Sequence, residues 1–196
     1  MSDSRIIISL AASAADRRGT TDAAAAVRLR RLVASEFDFV GRVARNLGVH
    51  ALDVDDVLQQ VFASLAGRLA DVSAGSERAF LVQAAVRWSA NARRSRARRR
   101  EVGLEALPET ADPAPTPEEL SDRRRGIEIL DRLLATMELH LRTVFVLYEV
   151  EEMTMAEVAR LLDLPPGTVA SRLRRAREEF QSQLDRWRRN VRGEQR

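Results

Sequence analysis

Met153–Arg177 reads MTMAEVARLLDLPPGTVASRLRRAR, and this stretch decides the fold class. Val158, Leu161 and Leu162 recur at helical spacing, then meet a break at Asp163, Leu164, Pro165 and Pro166. Thr154 with Glu157 three residues on has the form of a capping box, which satisfies free amides at a helix start. Pro166 lacks an amide hydrogen, and only an early helical position tolerates that. A second helix then places Val169 and Leu173 on one face, continued by Phe180 and Leu184. Thr168, Ser171, Arg172, Arg174, Arg175 and Arg177 lie on or beside the opposite face. Two short helices across a tight turn, the second basic outside and aliphatic inside, are what a helix-turn-helix needs to enter a DNA major groove. A plain helical hairpin with a solubilising arginine surface has the same local pattern.

Upstream, the same periodicity continues without strands of useful length, so the chain is expected to be all-α. Asp22 opens a helix that runs to Leu47, with Gly48 as its stop. Asp53 is placed to cap the next helix, with Asp55 and Asp56 in its first turn, where negative charge suits the helix dipole. Val57, Leu58, Val61, Phe62, Leu65 and Leu69 form its apolar face. Ala70–Glu77 reads as a loop. Phe80–Arg94 reads as a third helix, with Arg98, Arg99 and Arg100 beyond its end.

Charge is distributed in blocks. The net charge is only +3, and every residue of the 32 counted as lysine or arginine is arginine. Arg87, Arg93, Arg94, Arg96, Arg98, Arg99 and Arg100 put seven cations into fourteen residues with no acid among them. Beside Trp88, such density has the form of a phosphate-backbone footprint. A solvated basic helix end is the bland alternative. From Glu101 the sign reverses: seven acids reach to Asp122 with no base between them, and Pro108, Pro113, Pro115 and Pro117 break any regular element. This predicts a flexible acidic linker over 101–122 between a helical domain at 22–100 and a helix-turn-helix domain at 123–192.

Catalytic material is sparse. There is no cysteine, and His50 and His140 stand apart without metal-ligand spacing. No phosphate-binding glycine loop is present, and the acids at Asp53, Asp55 and Asp56 are explained by a helix start. Neither a metal, a cofactor nor an enzyme activity is expected. The apolar run Ile6–Ala15 is too short to span a membrane, which predicts a cytoplasmic protein.

At this point the residues match a known pattern. LPPGTVASRLRRAREEF, Leu164–Phe180, resembles the minus-35 recognition helix of the extracytoplasmic-function (ECF) subgroup of the bacterial sigma-70 family of RNA polymerase sigma factors. DVDDVLQQVF, Asp53–Phe62, resembles that family's core-binding segment, with Asp55 where glutamate is usual. Phe80–Arg100 is similar to the helix that recognises and melts the minus-10 element, though Phe80, Arg87 and Asn91 depart from the common residues.

The resemblance implies partners and sites. Asp55, Asp56, Gln59 and Phe62 would meet core polymerase, whose clamp helices in the largest subunit and whose flap are the expected contacts; for Phe62 the bland alternative is a core position packed against Phe37 or Leu81. Arg87, Trp88, Asn91, Arg94, Arg98, Arg99 and Arg100 would serve the minus-10 DNA. Ser171, Arg174 and Arg175 would reach base edges of the minus-35 element, with Thr168 beside them. Arg172 and Arg177 would clamp phosphates or pair with Glu178 or Glu179. An anti-sigma factor is a further partner the resemblance allows. The remaining alternative is a free-standing helix-turn-helix regulator that binds DNA without polymerase.

Overall fold

The computed structural model describes residues 23–101, 126–127 and 129–193, and all regular structure among them is helical. The expected N-terminal apolar run and most of the acidic linker lie outside these residues. Helix α1 is Ala23–Asn46, and a 3-10 turn at Ala51–Asp53 leads into α2, Val54–Ala66. Helix α3 is Glu77–Glu101. In the C-terminal half, α4 occupies residues 129–135. It is followed by α5, Leu139–Phe145, which widens into a π-helical turn at Val146–Val150. The helix-turn-helix pair is α6, Met155–Leu162, and α7, Pro166–Gly193.

Helix ends follow from residue chemistry. Helix α1 stops where Gly48 takes φ +86°, a left-handed conformation that costs glycine least. At the start of α6, the Glu157 amide donates to Thr154 Oγ1 at 3.3 Å, and the Thr154 amide donates to Glu157 Oε2 at 2.8 Å, completing the capping box. Asp163 closes α6 in the left-handed region at φ 53°, which its short polar side chain tolerates. The Thr168 and Val169 amides then donate to Pro165 O, starting α7 with Pro166 at its first position.

Two expectations about helix ends are corrected. Asp53 sits at the head of α2 but makes no side-chain capping bond; its carboxylate is taken by arginines of α3. Helix α3 does not stop near Arg94 but runs to Glu101, so Arg98, Arg99 and Arg100 are helical. Arginine has high helix propensity and favours a helix C-terminus, so the basic run extends the element it was expected to follow.

The packing of the halves was not expected. Leu29, Val33, Val40 and Leu47 of α1 share one buried cluster with Val61 and Phe62 of α2 and Leu81 and Ala85 of α3. The same cluster continues through Val144 and Leu147 to Val158 and Leu161 of α6 and Val169 and Leu173 of α7. A smaller core joins Leu134, Met137, Leu141 and Phe145 to Ala176, where Phe145 and Phe180 stack at 4.9 Å. The N-terminal helices and the helix-turn-helix therefore bury apolar surface against each other.

Polar contacts cross the same boundary. Arg142 of α5 is 1% exposed, and its Nε donates to Asn46 O at 2.6 Å, on the last turn of α1. Gln83 of α3 donates to Leu161 O at 3.1 Å, and Arg42 of α1 pairs with Glu151 at 3.1 Å. Arg93 of α3 donates to both Leu47 O and Ala135 O at 3.4 Å.

Candidate nucleic-acid interface

Helix α7 sorts its residues by period. Val169, Leu173 and Ala176 are buried, while Ser171, Arg174 and Arg175 are exposed and Arg172 and Thr168 are half-buried. The Ser171 hydroxyl donates back to Thr168 O at 2.9 Å. Arg174 is engaged with Glu178 at 2.8 Å, one turn on. Arg177 reaches Glu149 at 2.6 Å and lies over the Tyr148 ring at 5.3 Å. The hydrogen bond to Glu149 is the main cause that raises the Arg177 guanidinium above its ordinary value. Arg175 makes no ion pair with a described residue. The expected pairing is thus corrected: Arg177 is held by the π-helical turn, and Glu178 takes Arg174. Ser171 and Arg175 are the exposed residues of the helix's N-terminal half with polar groups uncommitted to an acid.

The face of α3 is partly self-occupied. Asp53 receives Arg96 at 3.2 Å and Arg99 at 3.3 Å, and Arg99 also donates to Ser95 Oγ at 3.1 Å. Arg94 donates to Asn91 Oδ1. Arg87 lies 5.8 Å from the Trp88 ring. The indole nitrogen of Trp88 donates to Ser64 Oγ of α2 at 3.2 Å, which fixes the ring plane at the helix boundary. Arg98 is exposed. Arg100 lies within the helix, and its side chain is outside the described residues. Between α2 and α3 an open groove of about 220 Å³ is lined by Asp56, Gln60, Trp88, Asn91, Ser95 and Arg99. The structure therefore brings Trp88 and Asn91 to one groove, and sets Arg87 and Arg98 outside its lining.

On α2, Asp55 and Asp56 are exposed and Gln59 is half-buried, an acidic ridge one turn long. Phe62 does not join it. It is 0% exposed and stacks on Phe37 at 6.1 Å, so it belongs to the core and offers no area to a partner in this conformation. Its place four residues after Leu58 and three before Leu65 puts it on the buried stripe of the helix.

The loop between α2 and α3 is pinned from α1. Arg28 donates to Leu69 O and Val72 O and pairs with Glu77 at 2.6 Å, and Glu77 also accepts the Gly75 amide at 2.6 Å. Burial works to raise the Glu77 carboxyl, but the Arg28 and backbone hydrogen bonds outweigh it and hold the group below 4.5. The residues that sequence reasoning missed are Arg28, Arg42, Gln83 and Arg142, each of which acts on a partner more than forty positions away. No local signal marks them.

Among the described residues no cluster of histidine, aspartate or glutamate could hold a metal ion, and no helix is long and apolar enough to cross a membrane.

Comparison with known proteins follows the same outline. Residues 127–180 match the family described as sigma-70, region 4. The ECF RNA polymerase sigma factor SigE of Mycolicibacterium smegmatis is 30% identical over 170 residues, covering 84% of this chain. The chain matches 65% of the length of that relative. CnrH, solved in complex with the cytosolic domain of CnrY, superposes with TM-score 0.59 at 24% identity over 91% of this chain and 96% of that one. The sigma factor RpoE of Bartonella quintana, solved with the anti-sigma factor NepR, gives TM-score 0.52 at 19% identity over 80% of this chain and 95% of that one. These two structural likenesses establish the shared all-helical fold.

Proposed function

We propose that this chain, whose residues 127–180 match the sigma-70 region 4 family, works as an ECF sigma factor, directing core RNA polymerase to promoters. The observation that carries the reading is the sorting of α7, whose buried Val169 and Leu173 turn Ser171 and Arg175 outward at the head of a capped helix-turn-helix. The exposed Arg175 is the first choice for a guanine edge, since its guanidinium reads O6 and N7 together. Arg172 and Arg174 are suited to phosphates, which position the helix without reading sequence.

In the N-terminal half, the groove beside Trp88 and Asn91 is the proposed seat of the minus-10 strand. A base lifted from the stack would find an aromatic face there, and Arg87, Arg94 and Arg98 would neutralise phosphates around it. Arg99 would join them only after leaving Asp53. Asp55, Asp56 and Gln59 form the proposed polymerase contact, an acidic ridge suited to basic side chains of the clamp helices. The flap of polymerase is proposed to meet the C-terminal domain. An anti-sigma factor is a further proposed partner, supported by the B. quintana relative's capture with one.

The test is direct association and selection. The labelled chain is titrated with core polymerase, and the reconstituted holoenzyme transcribes a small promoter library. Stable association and a subset of active promoters are expected. DNA binding without any association with core polymerase would replace this reading with a free-standing regulator.

A further inference from the structure

At the C-terminal end of α1 lies a second groove, apart from the residues proposed for polymerase and promoter. It is open, about 430 Å³ in volume, and lined by Gly48, His50, Arg93, Arg96 and Ala97. That size falls within the range of small-ligand sites. Arg93, Arg96 and Ala97 are spaced i, i+3 and i+4, so they share one face of α3, a step round the helix from Arg94 and Arg98. Every polar side chain in this lining offers a donor. His50 Nδ1 accepts the Leu52 amide at 3.3 Å, so the neutral ring carries its proton on Nε2. Among the described residues no carboxylate lines the groove.

Arg93 is poorly satisfied there. It is half-buried and pairs with no acid among the described residues. Its bonds to Leu47 O and Ala135 O are both 3.4 Å, beyond the usual range for such contacts. Burial holds its guanidinium below the ordinary value. Arg96 donates to Asp53 Oδ2 at 3.2 Å, but Arg99 draws on the other oxygen of the same carboxylate at 3.3 Å. One carboxylate shared between two guanidiniums leaves the cluster net positive.

A third cation stands behind the glycine wall. A Cβ added at Gly48 would lie 2.7 Å from Arg142 Nη1 and 3.1 Å from its Cζ, so the buried guanidinium rests directly against this side of the groove. Its Nε covers Asn46 O at the negative end of α1, while Nη1 has no hydrogen-bond partner among the described residues. Burial first, and then the like charge of Arg93, push the Arg142 guanidinium down to about 10 against the pull of Asp131. It therefore remains protonated near neutrality. Like charges close together in a poorly solvated place repel strongly, and an anion set in front of them offsets that repulsion.

We propose that this groove is a binding site for a small phosphorylated anion bearing a diphosphate group. Arg93 and Arg96 each present a planar fork that can take one phosphate bidentately, so two linked phosphates suit the pair better than one. His50 Nε2 supplies a further donor, and Arg142 supplies charge from behind Gly48. The site goes beyond the sigma-factor reading and does not depend on it.

Inorganic pyrophosphate is the probe, titrated into the full chain by calorimetry at constant ionic strength, with sulfate as the control anion. One saturable site is expected, with sulfate about tenfold weaker or more. Pyrophosphate at about ten times its dissociation constant should raise the melting temperature by about 3 °C or more. Ala97→Glu sets a carboxylate at an exposed position of the wall, one turn from Arg93, and Arg93→Gln removes one fork. Each should lower pyrophosphate affinity by about tenfold or more, with helical content unchanged by circular dichroism. Arg31→Ala removes an equal charge from an exposed position of α1 and should shift the affinity by less than about twofold. The phosphodiesters of DNA share this chemistry, so the titration is repeated with the chain saturated by an unrelated duplex. Retained pyrophosphate binding is expected, and its loss would assign the groove to the DNA backbone and overturn the proposal. The absence of a saturable site, equal affinity for sulfate, or wild-type affinity in both Ala97→Glu and Arg93→Gln would overturn it as well.

Discussion

At the scale of single residues, arginines of one helix have divided fates. Arg174 and Arg175 are neighbours, both exposed, but Arg174 is drawn along the helix to Glu178 while Arg175 pairs with no acid among the described residues. An arginine already paired loses that partner on meeting a base, so its net gain is smaller. Arg175→Ala is therefore expected to weaken the preferred upstream element by about tenfold or more, with a smaller loss on scrambled DNA. Arg174→Ala should weaken both alike. Titration of holoenzyme onto matched and scrambled promoters checks this, and equal losses for Arg175→Ala would move upstream specificity to Ser171 or DNA shape. Glu77 is the counterpart on the stability side. It receives Arg28 and the Gly75 amide together, so Glu77→Gln should lower unfolding stability by about 1–2 kcal/mol in urea. The carboxyl is held below 4.5 in the folded chain, so its contribution is present above that pH and disappears as pH falls through the folded value. The gap between wild type and Glu77→Gln should accordingly narrow as the pH falls below the ordinary carboxylate range, and a gap that does not change with pH would show the effect to be steric.

At the scale of elements, what was legible in the sequence was what is local. The capping box of Thr154 and Glu157, the turn through Asp163 and the proline start of α7 are set by residues a few positions apart, and each forms as its spacing requires. Thr154→Ala should cost about 1 kcal/mol by the loss of that cap, measurable in the same urea titration. The full length of α3 is not legible locally, because a run of arginines has the composition of a basic tail, whereas arginine propagates helix readily. Phe62 fits two readings: its spacing from Asp55 and Gln59 suits a shared rim, its place on the apolar face suits the core, and the stack on Phe37 across the bundle decides for the core. The distinction is testable. Phe62→Ala should cost about 3–5 kcal/mol of stability as a core truncation. Asp56→Arg should leave unfolding unchanged and weaken association with core polymerase. Wild-type affinity in the Asp56→Arg protein would remove α2's ridge from the polymerase contact.

At the scale of the whole molecule, composition divides the chain where the acid and proline run begins, and the reading of two tethered domains follows from it. What composition does not carry is the complementarity of the two folded faces. Leu81 and Val82 of α3 look like core of their own bundle, as Val158 and Leu161 do of theirs, yet all four lie in one cluster. Arg142 is the extreme case: amid Leu141, Val144 and Phe145 it reads as one polar position on an apolar helix, and only a carbonyl 96 positions away explains its burial. A shared core has a thermodynamic signature, because neither half can unfold without exposing the other's apolar face. The free chain is therefore expected to melt in one calorimetric transition, with calorimetric and van't Hoff enthalpies in agreement. Arg142→Met removes the hydrogen bond to Asn46 and relieves the repulsion from Arg93, so the local sum for the buried site is small, but the tie to α1 is lost. If the halves are joined chiefly through that tie, the variant should melt in two transitions, the C-terminal one responding to Thr154→Ala and the N-terminal one to Glu77→Gln. A single undivided transition in Arg142→Met would assign the coupling to the apolar contacts of Leu81, Val158 and Leu161 instead.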